Sequence, residues 1–291
     1  MSDVRLELAR TSLEGLSLGD AFGQQFFSPS VAAEAKPGRL PPPPWKFTDD
    51  TEMAIALVET LHEHGAVDQD DFARRLAERY QADPHRGYGA GARELLEAIG
   101  HGGSWRTLSR AMFGGSGSYG NGSAMRVAPL GAWFADDVEQ TIHQATLSAE
   151  VTHTHHEGIV GAVAIALAAG WAARREAEPA EDLIRWVASK IEESEVRKRL
   201  EWVSSYPLDT WPFTIASQVG TGLEISAQDT VPYTVWMAAA FLDDYEKALW
   251  TAARVGGDID TTCAIIGGIV ALNVGTPALP ETWLRCRESL S

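Results

Sequence analysis

Two short stretches of this 291-residue chain carry more oxygen donors than local structure requires. In Phe47-Thr48-Asp49-Asp50-Thr51, two adjacent carboxylates and two hydroxyls precede an apolar-periodic segment. In Gly256-Gly257-Asp258-Ile259-Asp260-Thr261-Thr262, two more carboxylates and their threonines stand before the apolar run that begins at Cys263. A single Asp or Thr suffices to cap a helix by accepting from its first free N–H groups. Four carboxylates brought together without counter-ions would be opposed by desolvation and repulsion. Hard divalent cations remove that opposition, because they prefer carboxylate, hydroxyl and carbonyl oxygens. Asp, Asp and Thr from each stretch make six protein ligands, a set suited to two metal ions. Spacing alone leaves capping and metal binding both open, since it does not show that the stretches meet.

A third feature is Gly117-Ser118-Tyr119-Gly120-Asn121-Gly122-Ser123-Ala124-Met125-Arg126. Such a glycine-rich loop lets backbone N–H groups approach phosphate oxygens, and Tyr119 offers a ring to a sugar or base. It lacks the lysine of a P-loop and the strand before a Rossmann turn, so a plain flexible loop is the competing reading. A fourth is His153-Thr154-His155-His156. With no cysteine nearby, these read as hydrogen-bonded histidines, one of them touching a ligand, rather than as a soft-metal site.

The elements that must position these residues read as helices throughout. Apolar periodicity predicts helices over residues 4–18, 51–64, 70–80, 91–99, 137–151, 157–175, 180–203, 231–254 and 261–273. Gly19-Asp20 reads as a turn, residues 24–47 as a loop ending in four prolines, and residues 204–230 as a loop with room for a short extended piece. No run of alternating residues is long enough to build a sheet. The expectation is an all-α fold, with residues 1–291 as one multi-helix domain.

Composition narrows the function classes. Apolar residues make up 45%, enough for a core, and the net charge is −16, which disfavours binding to a nucleic-acid backbone. The longest apolar run, residues 158–173, is short for a membrane span and reads as a buried helix. Two cysteines make no disulfide framework, and Met1-Ser2-Asp3 starts no apolar leader, so a reducing cytoplasm is expected. The tryptophans and methionines sit at helical spacing and read as core.

In combination these motifs resemble the ADP-ribosylglycohydrolase family. The resemblance runs through Gly19-Asp20-Ala21-Phe22-Gly23, Thr48-Asp49-Asp50-Thr51, the loop from Gly117 to Arg126, Thr152-His153 and Gly256-Gly257-Asp258-Ile259-Asp260-Thr261, in that order. Asp83-Pro84-His85-Arg86-Gly87-Tyr88-Gly89-Ala90-Gly91 and the glycine loop look closest to the branch that cleaves serine-linked, polymeric and acyl-linked ADP-ribose. The resemblance implies an all-α fold with two Mg²⁺ or Mn²⁺ ions held by Thr48, Asp49, Asp50, Asp258, Asp260 and Thr261. It places Gly117, Ser118, Tyr119, Gly120 and Asn121 around the diphosphate, His153 near phosphate or ribose, and Gly220 to Gly222 at the adenosine side. The implied substrate is an ADP-ribosylated protein or ADP-ribose derivative, with Asp49 or Asp260 accepting the proton of the attacking water. Serine-type members carry a Glu where this chain has Phe27, and Glu34 is the nearby acid available to substitute. Two rivals follow: an ADP-ribose binder of the same fold without catalysis, and a two-metal phosphohydrolase acting on the diphosphate.

Overall fold

A computed structural model describes residues 2–174 and 179–290. The protein is all-α. Its first helix, α1 (Ser2–Gln24), runs antiparallel to the late helix α15 (Ile259–Val274), and this pair forms the axis of the core. The sequence predicted a turn at Gly19-Asp20, but α1 continues through it. Gly15, Gly19 and Gly23 fall four residues apart on one face of α1. A Cβ at any of them would collide with the α15 backbone, at Gly267, Cys263 and Ile259 respectively. The glycines therefore mark a close helix–helix approach instead of a break. Ser12 donates to the Gly268 carbonyl (2.8 Å) and Tyr245 to the Gly15 carbonyl (2.6 Å), which seals the contact from both sides.

The residues between them follow in order. A short helix, α2 (Pro29–Glu34), interrupts the segment expected to be loop, with proline at its start. Then come α3 (Asp49–His64), α4 (Gln69–Ala82) and α5 (Ala90–Gly100), all predicted to within two residues at each end. Helix α6 (Trp105–Gly115) loses helical geometry at Met112, Phe113 and Gly114, where it runs into the glycine loop. Helices α7 (Ala128–Trp133), α8 (Val138–Glu150) and α9 (His156–Arg174) follow, and Asp137 caps α8 as expected by accepting from Gln140 N. Helix α9 has the length and composition of a membrane span, yet 83% of its apolar stretch is buried inside the protein. Residue 175, where the sequence placed the end of this helix, lies outside the described residues, as do Met1 and Ser291.

Two long predicted helices are each broken in two. Residues 180–203 form α10 (Ala180–Lys190) and α11 (Glu195–Val203), because Ile191 turns extended into the core and Ser194 caps a new start. Residues 231–254 belong to α13 (Ala227–Ala240) and α14 (Tyr245–Val255), parted where Asp244 accepts from Lys247 N. Between these pairs, α12 (Pro212–Val219) occupies part of the expected loop, and α16 (Glu281–Leu284) closes the chain. Helices α2, α6, α7, α12 and α16 were not predicted; most are too short for periodicity to register. Among the described residues there is no strand, only isolated backbone pairings such as Gly120 with Ser226 and Trp45 with Arg287. Most tryptophans are core, as read: Trp45, Trp250 and Trp283 cluster with Phe22 and Phe26 beside α1.

Gly19→Ala tests the helix contact. The new methyl group meets backbone that cannot swing aside, so a loss of about 3 kcal/mol or more is expected in a denaturant titration. A midpoint like that of the parent would mean that α1 and α15 do not approach this closely.

Candidate metal centre and cleft

The two aspartate pairs lie far apart in sequence and meet in space. Thr48 caps α3, its hydroxyl oxygen accepting from Asp50 N at 3.3 Å. The mouth of α15 faces it: Thr261 Oγ1 lies 3.3 and 3.2 Å from the two carboxylate oxygens of Asp50. Asp49, Asp50, Asp258, Asp260 and Thr261 all line one cleft of about 410 Å³. That volume is within the range of small-molecule sites.

A fifth carboxylate completes the cluster. Asp20, fully buried on α1, accepts from Thr48 N (2.9 Å), Thr48 Oγ1 (2.9 Å), Thr51 N (3.1 Å) and Thr51 Oγ1 (2.5 Å). It thereby serves as the N-terminal cap of α3 from a neighbouring helix. Asp20, Asp50 and Asp260 can each bring a carboxylate oxygen within 4.8 Å of the others, a grouping able to hold a metal ion. The sequence reading treated Asp20 as a turn residue. Its signal was an acid inside an apolar, glycine-spaced helix face, where a charge needs a partner.

Electrostatics make the same point. Burial pushes Asp50 and Asp260 well above the usual carboxylate range, and the neighbouring carboxylates push them further. Asp49 is pushed up to about 8 by burial and then by the charges of Asp20 and Asp258. Burial also raises Asp258, against a hydrogen bond from Asn121. Burial lifts Asp20 to about 6, where the donors from Thr51 and Thr48 hold it down. All-oxygen donors with no cation among them are the chemistry of a hard divalent ion.

The remaining expected residues sit as follows. Ser118, Tyr119, Gly120, Asn121 and His153 line the cleft. Gly117 does not; it packs against Thr154 and His155. The Asn121 amide is committed to Asp258 (2.7 Å) and Thr230 (3.1 Å), so its side chain orients a carboxylate. Gly220 packs against Asp229 and Gly222 against Asp258, while Glu224 and Ile225 line the cleft. His155 accepts from Glu157 N, and His156 bonds the Glu193 carbonyl, which leaves His153 as the histidine at the cleft. Glu34 pairs with Arg39 (2.6 Å) in a separate surface cleft, and Phe27 is half exposed, so neither supplies an acid here.

Three apolar side chains at the mouth were not foreseen. Phe113, Met112 and Ile225 line it beside Tyr119, and Phe113 and Ile225 are largely exposed. Both hold the left-handed backbone conformation, at φ 52° and 53°, which is costly for non-glycine residues and commonest at functional sites. Gly87, Gly89 and Gly91 also line the cleft, with Gly91 packed against Met112 and Phe113. Arg86 is turned away from the cleft. It donates to the Phe47 carbonyl (3.0 Å), pairs with Glu288, Asp83 and Glu52, and lies over the Phe47 ring. Its own carbonyl accepts from Asp49 N at 2.8 Å. Glu288 also accepts from Phe47 N, so the segment after α16 holds the loop that carries Thr48 and Asp49.

A carboxylate with a raised pKa binds its proton more tightly folded than unfolded. In chelator, the fold is therefore favoured below the unfolded value of about 4, and its stability falls as pH rises toward about 8. Thermal melts in EDTA are expected to drop across that window. Mg²⁺ or Mn²⁺ at pH 8 restores the loss, by ~2.7 kcal/mol at about 100 times the dissociation constant. Melts that ignore both pH and metal would refute an ion-binding cluster.

The chain is similar to known proteins over nearly its full length. The family model described as ADP-ribosylglycohydrolase matches residues 1–289. ADP-ribosylhydrolase ARH3 of Homo sapiens is 31% identical over 276 residues, covering 83% of this chain and 74% of that protein. ARH3 of Gallus gallus is 27% identical over 337 residues, covering 96% and 89%. A solved structure titled ADP-ribosylglycohydrolase-related protein complex superposes with a TM-score of 0.70 at 26% identity, covering 98% of this chain and 94% of that one. With a cluster of buried aspartates at its centre and a family match from end to end, the chain belongs to the ADP-ribosylglycohydrolase family and is by that membership an ADP-ribosyl glycohydrolase.

Proposed function

We propose that the chain, acting as one domain, hydrolyses the N- or O-glycosidic bond between ADP-ribose and an acceptor and releases ADP-ribose. One observation carries this reading: carboxylates, a glycine loop and apolar side chains line a single cleft. ADP-ribose offers a ribose, a diphosphate and a flat base to those three kinds of lining. Residues 118–122 and His153 meet the diphosphate, and Tyr119, Phe113 and Ile225 flank the base. The similarity to the ARH3 proteins, named as ADP-ribosylhydrolases, supports the same substrate class.

Thr48, Asp49, Asp50, Asp258, Asp260 and Thr261 are proposed to hold two divalent cations, Mg²⁺ or Mn²⁺, with Asp20 fixing the threonines behind them. When bound, the ions neutralise the carboxylates and supply Lewis acidity toward water and the ribose hydroxyls. The chain's own groups do the rest. Asp49 and Asp260 present carboxylate oxygens to the cleft, and one of them accepts the proton of the attacking water. Five carboxylates against two divalent ions leave one negative charge in excess, which favours the positive charge that develops on the sugar as the bond breaks. The acceptor side is formed by Gly87, Gly89 and Ala90, with Arg86 turned away from the cleft. The acids beside Arg86, namely Glu52, Asp83 and Glu288, are paired with it, which fits a small, uncharged linkage better than a guanidinium. Free cysteines at Cys263 and Cys286 fit the reducing cytoplasm in which we place the protein.

The test is a panel of arginine-, serine- and acyl-linked ADP-ribose substrates with defined metals, read by product. Free ADP-ribose is expected, whereas AMP with ribose phosphate would move the reaction to the diphosphate. Asp260→Asn is expected to lower turnover by more than about 100-fold. The same variant should melt higher than the parent in EDTA, because one buried charge has gone. Full activity in that variant would remove the two-metal mechanism, and tight ADP-ribose binding by the parent without release of product would make the protein a binder.

A further inference from the structure

Arg126 is among the largest fully buried side chains of the protein, and no carboxylate pairs with it among the described residues. Its guanidinium is held by neutral oxygens: Nη1 donates to the Gly122 carbonyl (3.0 Å), and Nη2 donates to the Ser148 carbonyl (2.9 Å) and to Thr152 Oγ1 (3.0 Å). It lies 5.2 Å from the Phe72 ring centroid. A buried cation without a counter-ion is costly unless something negative arrives nearby. Gly122, one of its acceptors, belongs to the glycine loop at the cleft.

Thr152 links that cation to the cleft histidine. Thr152 Oγ1 lies 2.7 Å from His153 Nδ1 and already accepts from Arg126. Among the described residues, Nδ1 is the one acceptor in reach of the Thr152 hydroxyl hydrogen. The hydroxyl therefore donates to Nδ1, and the hydrogen of the neutral ring sits on Nε2. That nitrogen lies at the loop: side-chain carbons at Gly120 or Gly122 would come within 3.3 and 3.2 Å of it. Burial, and then the charge of Arg126, pull the ring down to about 3, so it carries no charge of its own near neutral pH.

We propose that Arg126 and Thr152 are positioning residues: together they fix His153 as an Nε2–H donor aimed at a phosphate oxygen, with the guanidinium as a permanent positive charge behind the glycine loop. The phosphate half rests on the diphosphate reading given above; the tautomer does not. Anion binding is thus divided between a neutral donor at the cleft and a charge held out of water, where it is screened least. The loop can lack the lysine of a P-loop because the cation stands beneath it.

The test uses the full chain with ¹⁵N-labelled histidine. The chemical shifts of His153 Nδ1 and Nε2 report which nitrogen carries the hydrogen, with no ligand present. The parent and Thr152→Ser are expected to show the Nε2–H form, and Thr152→Val, which has nearly the same shape but no hydroxyl, to lose it. Inorganic pyrophosphate and ADP-ribose should bind Thr152→Val about tenfold more weakly and Thr152→Ser near the parent level, while Mn²⁺ affinity stays constant in all three. An Nδ1–H ring in the parent, or an unchanged ring in Thr152→Val, overturns the positioning role. The Nε2–H form in a parent that binds neither pyrophosphate nor ADP-ribose overturns the diphosphate reading, and the phosphate half of this inference with it.

Discussion

Five carboxylates gathered at one cleft, Asp20 and Asp50 buried and Asp49, Asp258 and Asp260 partly so, set the terms for the rest of this protein. Left alone they repel one another and resist burial, so the surrounding structure either supplies compensation or leaves their protons on. Local compensation is visible at Asp20, whose oxygens take four donors from Thr48 and Thr51. At Asp258 it comes from the Asn121 amide first, then from the side chains of Asp260 and Thr261. Asp50 and Asp260 receive donors from Thr261, and burial and neighbouring charges raise both well above the usual carboxylate range. The compensation is thus graded, fullest at Asp20 and thinner at the carboxylates that line the cleft.

This grading depends on helix packing. Asp20 and Asp260 approach because glycines on α1 let its backbone settle onto that of α15. Asp50 joins them because Asp20 caps α3 from a neighbouring helix, alongside the local cap Thr48. Capping and metal binding, which look like alternatives on paper, are therefore divided among different members of one cluster. Thr48 and Asp20 do the capping, and the carboxylates that capping does not consume face the cleft.

That division explains what could be read in the sequence. The acidic pairs were legible because adjacent carboxylates exceed the needs of a helix start, and the helices of the core were legible from their periodicity. Asp20 was not, because a glycine next to an acid looks like a turn until the partner helix is in place. The breaks at Ile191 and between Phe241 and Asp244 were hidden for the opposite reason: apolar spacing carries on across them, while the cap residues Ser194 and Asp244 are common within helices too. The apolar rim at Phe113 and Ile225 gave no signal, because an unusual backbone conformation is a property of the folded loop and not of residue type. Arg126 read only as the end of a motif, since burial of an unpaired cation is invisible in one dimension.

The pairing of α1 with α15 also has a consequence for how the protein comes into being. Helix α1 ends at Gln24 and α15 begins at Ile259, so their contact forms only once the long stretch of chain between them has been brought round. Until then the glycine face of α1 lacks its partner, and Asp20 stands apart from Asp260. The acidic cluster is therefore a late product of folding and not a seed for it.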